Sequence, residues 1–140
     1  MNDFEVDEPI LNSPYEEPKQ YWDIRAGEVP RKIEGQRRLA GYYYRPPSYE
    51  PASNEEESPG EWVSLEAVNL IRERLGAWRK AGYPGVSRVT LEILNYWRRE
   101  GKKQPLFFAQ LEAAETIIFL TEARSDFLQG VSSKIPLDEP

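Results

Sequence analysis

The sequence predicts a mostly α-helical protein: an extended, proline-rich, acidic N-terminal segment with one short strand-like run, followed by three packed helices. Three observations carry that expectation. Residues 1–63 hold 8 of the 12 prolines and 14 acidic against 7 basic residues, a net of −7, a composition that disfavours helix and suits extended chain. Every long stretch with apolar residues at three- and four-residue spacing lies after residue 63, and that spacing is the mark of a helix face. The longest of these stretches, Pro105 to Gly130, carries apolar residues on more than one face, as a helix wrapped by neighbours does.

Residues 1–63 read as an extended, largely non-helical segment and linker. Pro9, Pro14 and Pro18 punctuate the start and remove backbone donors. Phe4, Ile10, Leu11, Tyr15, Tyr21 and Trp22 are too apolar for a solvating tail, so this part is expected to lie along another surface. Arg31 to Arg38 is basic, with Glu34 its one acid, and Leu39-Ala-Gly-Tyr-Tyr-Tyr-Arg45 is a strand-like run closed by Pro46-Pro47. Aromatic residues interleaved with arginine either stack on bases and grip phosphates or pack against the protein's own body. Residues 46–60, rich in Pro, Ser and Glu, read as a linker or surface loop.

Residues 64–140 read as a three-helix module. The first helix is expected over about 64–81, capped by Ser64, with Leu65, Val68, Ile71, Leu75 and Trp78 on one face and Gly82 after its last turn. Tyr83-Pro84-Gly85 is a turn by residue chemistry. The second helix, about 87–100, takes Ser87 as cap, Val89, Ile93, Tyr96 and Trp97 as its apolar face and Gly101 as its stop. The third spans about 105–129, with Pro105 in its first turn and Gly130 just past its end. Its apolar run Ile117 to Leu120, flanked by Glu115, Glu122 and Arg124, is too short to cross a bilayer, and no membrane partner is expected.

Composition excludes several chemistries. There is no cysteine and no histidine, so disulfides, thiolate zinc sites and histidine-based triads are ruled out. No G-x-x-x-x-G-K-[ST] loop occurs, and Asp138-Glu139 lies between prolines rather than after a strand. Glu112 and Glu115 read as solvent-facing helix charges without a metal partner or nucleophile. No catalytic residue, metal site or cofactor is expected in this chain. The acidic start, with Asp3, Glu5, Asp7 and Glu8, is the opposite of a secretory or transit signal and points to the cytoplasm.

One charge feature remains. Residues 72–103 carry nine basic residues against three acids. Arg88, Arg98, Arg99, Lys102 and Lys103 are the candidate DNA contacts, since such a block either neutralises phosphates or is a solvated helix surface.

Asn12-Ser13-Pro14-Tyr15-Glu16-Glu17-Pro18 with Tyr21-Trp22, Arg37-Arg38-Leu39-Ala40-Gly41-Tyr42-Tyr43-Tyr44-Arg45, Trp78-Arg79-Lys80-Ala81-Gly82-Tyr83-Pro84-Gly85-Val86 and Phe107-Phe108-Ala109-Gln110-Leu111-Glu112-Ala113-Ala114-Glu115-Thr116 resemble the N-terminal region of DEAD/DEAH-type proteins known as type III restriction endonuclease R subunits. The resemblance covers nearly the whole chain. It implies a truncated or split module that precedes an ATPase motor, with the downstream ATPase/nuclease portion as partner and with ATP and Mg belonging to the full-length family. In related motors a glutamine ahead of the phosphate loop contacts adenine, and Gln110 resembles it; an amide matches the donor and acceptor of N6 and N7. The competing reading of Gln110 is a helix-surface residue, and that of the chain is a stand-alone DNA- or protein-binding module.

Overall fold

The structure, a computed structural model, describes residues 5–25, 27–45 and 60–131. The linker expected over 46–60 lies outside them but for Gly60, as do Asp138 and Glu139. The fold is α+β rather than mostly α. Four strands, β1 (Gln20–Asp23), β2 (Arg31–Glu34), β3 (Gly41–Tyr44) and β4 (Glu61–Ser64), precede α1 (Glu66–Lys80), α2 (Arg88–Trp97) and α3 (Phe108–Glu122). About 36% of the described residues are helical and 14% are strand. The prolines that exclude helix from the first half do not exclude hairpins: Pro30 precedes β2 instead of interrupting a ladder.

The chain divides into two compact units. The first comprises residues 1–13 and 17–65, the second residues 14–16 and 66–140.

In the first unit each sheet is one antiparallel pair. β1 meets β2 with Tyr21 opposite Ile33 and Asp23 opposite Arg31, and β3 meets β4 with Tyr43 opposite Trp62. Cross-strand pairs of this kind, charged at one position and aromatic at the other, are what hold such short ladders. The Asp23 carboxylate accepts from Arg31 at 3.3 Å, and the Tyr43 and Trp62 rings meet edge to face at 5.1 Å. The preceding segment is tied down by side-chain N–H groups. Asn12 Nδ2 donates to Gln20 O at 2.9 Å, Gln20 Nε2 donates to Leu11 O, and Trp22 Nε1 donates to Glu8 O at 2.7 Å. Because two-stranded ladders alone are marginal in water, these bonds are part of what makes the unit cohere.

The second unit is built around Leu75 and Trp78 of α1, Tyr83 of the turn, Leu94 of α2, Phe119 of α3 and Val131, all buried. Trp78 is the centre: Tyr83 and Phe119 meet its ring edge to face at 4.8 and 5.5 Å, and its indole N–H donates to Pro84 O at 2.9 Å. Pro14 to Glu16 belong here, since Phe108 N donates to Pro14 O at 2.8 Å and Tyr15 stacks on Phe107 at 5.2 Å.

Each of the three helices departs from expectation in a boundary or a face. Ser64 closes β4, so α1 starts at Glu66. Ser87 does cap α2, accepting from Thr90 N at 3.2 Å. The buried stripe of α2, however, is Leu91 and Leu94 with Trp97 beside them, while Val89, Ile93 and Tyr96 face solvent. The expected buried α3 over 105–129 is shorter and more open. It runs from Phe108 to Glu122 and leaves Ile117 and Leu120 exposed. Ala123 is extended, and Arg124 N donates to Pro84 O at 3.1 Å instead of continuing the helix. Residues 125–131 are turns, and Phe127, Leu128 and Val131 pack on the core with a spacing that mimics one more helical turn.

The close approach of the α3 end to the turn depends on Gly85. At φ +98 a side chain is strained, and a Cβ there would lie 2.5 Å from Arg124 N and 2.8 Å from Glu122 O. Gly76 is the opposite case, inside α1 with nothing within 4 Å of a Cβ. In thermal melts followed by circular dichroism, Gly85→Ala is expected to destabilise by about 2 kcal/mol or more, whereas Gly76→Ala raises stability by up to about 1 kcal/mol.

Candidate nucleic-acid interface

The C-terminal end of α2 and the connection to α3 gather cations around an aromatic ring. Tyr96, Arg99, Lys102 and Lys103 line one open cleft of about 630 Å³, with Glu100 as the one acid among them. Tyr96 is 58% exposed, and Lys102 Nζ sits 4.1 Å from its ring centroid. Gly101, at φ +77, turns the chain so that Lys102 comes back over the last turn of the helix. Arg99 and Lys103 are exposed, and neither has a carboxylate partner among the described residues.

The other two candidate DNA contacts lie apart from that cleft. Arg88 is at the opposite end of α2, about 15 Å away at 1.5 Å per residue, and pairs with Glu92 at 3.2 Å. Arg98 turns the other way: its Nη1 donates to the Tyr83 hydroxyl at 3.1 Å. Three of the five basic residues therefore converge, one is paired at a distance, and one serves the protein interior.

That interior contains the main departure from the sequence reading of α3. Glu115, expected to face solvent, is fully buried. Arg79 donates to it twice, from Nε at 2.7 Å and from Nη2 at 2.9 Å, and the Tyr83 hydroxyl donates at 3.0 Å. A buried carboxylate is tolerated when its charge is met and its lone pairs are filled, which this fork and phenol accomplish. Seven residues on, Glu122 accepts from Ser87 N at 3.2 Å and from the Thr90 hydroxyl at 3.1 and 3.0 Å. Two acids on the same side of α3 thus hold the last turn of α1 and the first turn of α2.

Other polar residues of α3 bond within the helix itself. Thr116 Oγ1 donates to Glu112 O at 2.6 Å. Gln110 is exposed and its side-chain oxygen accepts from Phe107 N at 3.1 Å, closing the start of the helix. The phenylalanine at the cap position has no oxygen with which to reciprocate. Among the described residues no group of three or more His, Cys, Asp or Glu is placed to hold a metal ion, and no described helix is long and apolar enough to cross a membrane.

Aromatic residues also gather in the first unit, where Tyr21, Trp22, Arg38, Tyr43 and Trp62 line a cleft of about 520 Å³. Tyr42, Tyr43 and Tyr44 are each about half exposed. Arg38 is engaged there, donating to Trp22 O at 2.6 Å with its guanidinium 5.3 Å from the Tyr21 ring centroid.

Comparison with protein-family models, curated proteins and solved structures finds no match to this chain. Sequence reasoning missed two residues: Tyr96, whose helical spacing with Val89 and Ile93 placed it on the core face, and Glu115. No local signal marks Glu115, because Glu112 one turn before it and Thr116 directly after it make the stretch look like a polar helix surface; its partner Arg79 is 36 residues away in the chain.

Two predictions follow from the Arg79–Glu115–Tyr83 cluster. Arg79→Met leaves a buried carboxylate without its cation and is expected to lower unfolding free energy by about 3–5 kcal/mol in urea melts; the double variant Arg79→Met/Glu115→Leu recovers most of that loss. For Tyr83, burial pushes the phenol above the usual tyrosine range and the Glu115 carboxylate adds to it, with Arg98 opposing. A folded-state value raised above the unfolded one means the stabilisation is fully present below about pH 10 and is lost as pH rises through the folded value. Ultraviolet titration should show one late-titrating phenol that disappears in Tyr83→Phe.

Proposed function

We propose that this chain is a non-catalytic DNA-contacting module of the kind that precedes the motor in type III restriction endonuclease or DEAD-like helicase proteins, acting in ATP-dependent DNA restriction. The observation that carries the DNA part is the convergence of Arg99, Lys102 and Lys103 on one open cleft, none of them in an ion pair with a carboxylate among the described residues. The resemblance of four sequence stretches carries the family part. In this reading ATP and Mg are handled by the downstream ATPase portion of the family, and Gln110 is the residue among these 140 that would meet adenine there. Its amide N–H group and the second lone pair of its oxygen remain for a base beside the bond to Phe107 N.

Three phosphate contacts give weak, sequence-tolerant binding whose log–log salt slope is about −3. The purified chain is expected to bind duplex DNA in this way and to show no ATP hydrolysis or DNA cleavage. Arg99→Gln/Lys102→Gln/Lys103→Gln should abolish the salt-dependent binding without changing the melting temperature. Arg98 is left out of that variant because it bonds Tyr83. Binding that survives the triple change, or ATP turnover that a change in this chain removes, would refute the reading.

A further inference from the structure

Within the same cleft, and resting on the DNA-contact reading above, we infer that Tyr96 is a base-stacking residue and that the preferred ligand is single-stranded DNA. The ring is carried on a helix whose opposite face is anchored by Leu91 and Leu94, so its position is set before any ligand arrives. The Lys102 ammonium lies 4.1 Å from the ring centroid, and the residue is 58% exposed, so ring surface remains in solvent for a flat partner.

The surroundings suit a nucleotide as a unit. Arg99 and Lys103 line the cleft with Tyr96 and supply charge for the phosphates on either side of a stacked base, while Glu100 reduces the local excess to two positive charges. A duplex can use the cations, because its phosphates are on the outside. Along its length it cannot use the ring, because both faces of every interior base pair are already covered by the neighbouring pairs. An unpaired base has a free face, and stacking on an aromatic side chain is tolerant of base identity. The combination of an open ring and adjoining cations therefore discriminates by strandedness and not by sequence.

The test compares a labelled oligothymidylate with a labelled duplex of equal length, by fluorescence anisotropy at one salt concentration, for the intact chain and for Tyr96→Ala and Tyr96→Phe. Tyr96→Ala is expected to weaken oligothymidylate binding by about tenfold and to leave duplex binding within about twofold, while Tyr96→Phe keeps both. Should the alanine variant melt early, Tyr96→Gln is read in its place. An equal loss on both probes, or no loss on the oligothymidylate at unchanged melting temperature, overturns the stacking role. If duplex binding stays salt-dependent in that case, the DNA-contact reading survives without it; if neither probe binds the intact chain, both fall.

Discussion

The second unit depends on a carboxylate that has been taken out of water. Glu115 sits on α3 between Phe119 and the end of α1, and its two oxygens are filled by the Arg79 fork and the Tyr83 hydroxyl. Each partner is placed by a different part of the chain: Arg79 by the last turn of α1, Tyr83 by the turn that follows, and Arg98, which donates to Tyr83 in its turn, by the end of α2. A hydrophobic contact accepts many orientations, but a bidentate fork accepts few. Trp78 and Phe119 supply the apolar burial of this core, and the ionic cluster fixes how α1 and α3 meet.

Tyr83 shows the cost of that arrangement. It stands at φ 61, a region that residues with a side chain rarely occupy. A glycine there would relieve the backbone and lose both the phenol that donates to Glu115 and the ring that meets Trp78. Local strain at one residue is offset by satisfaction of the buried acid and by aromatic packing, so conformational preference alone does not explain the residue found at that position.

The helices were legible in the sequence as elements and less so as faces. Ser87 and the apolar spacing located α2, yet two apolar stripes run along it and spacing cannot say which is buried; Leu91 and Leu94 are, because Trp78 and Phe119 lie on that side. The end of α3 was misplaced because Phe127 and Val131 pack on the core from turns with nearly helical spacing. The strands were harder still. Each has four residues, and β3 finds its partner only across sixteen intervening positions, so no local pattern announces the pairing. As for the cleft, the basic residues were visible as a block, but only the folded chain separates the three that converge from Arg88 at the far end and Arg98 in the core network.

The β3–β4 ladder has one more implication. The cross-strand pair beside the connection joins Tyr44 to Glu61, which makes the two ends of the intervening stretch neighbours. Closure entropy grows only with the logarithm of loop length, about 0.6 kcal/mol for each doubling. The seven-residue connection of β1 to β2 and the sixteen-residue connection of β3 to β4 therefore differ in closure cost by less than one good hydrogen bond contributes. A change of a few residues in the length of the longer connection costs the ladder little in closure entropy.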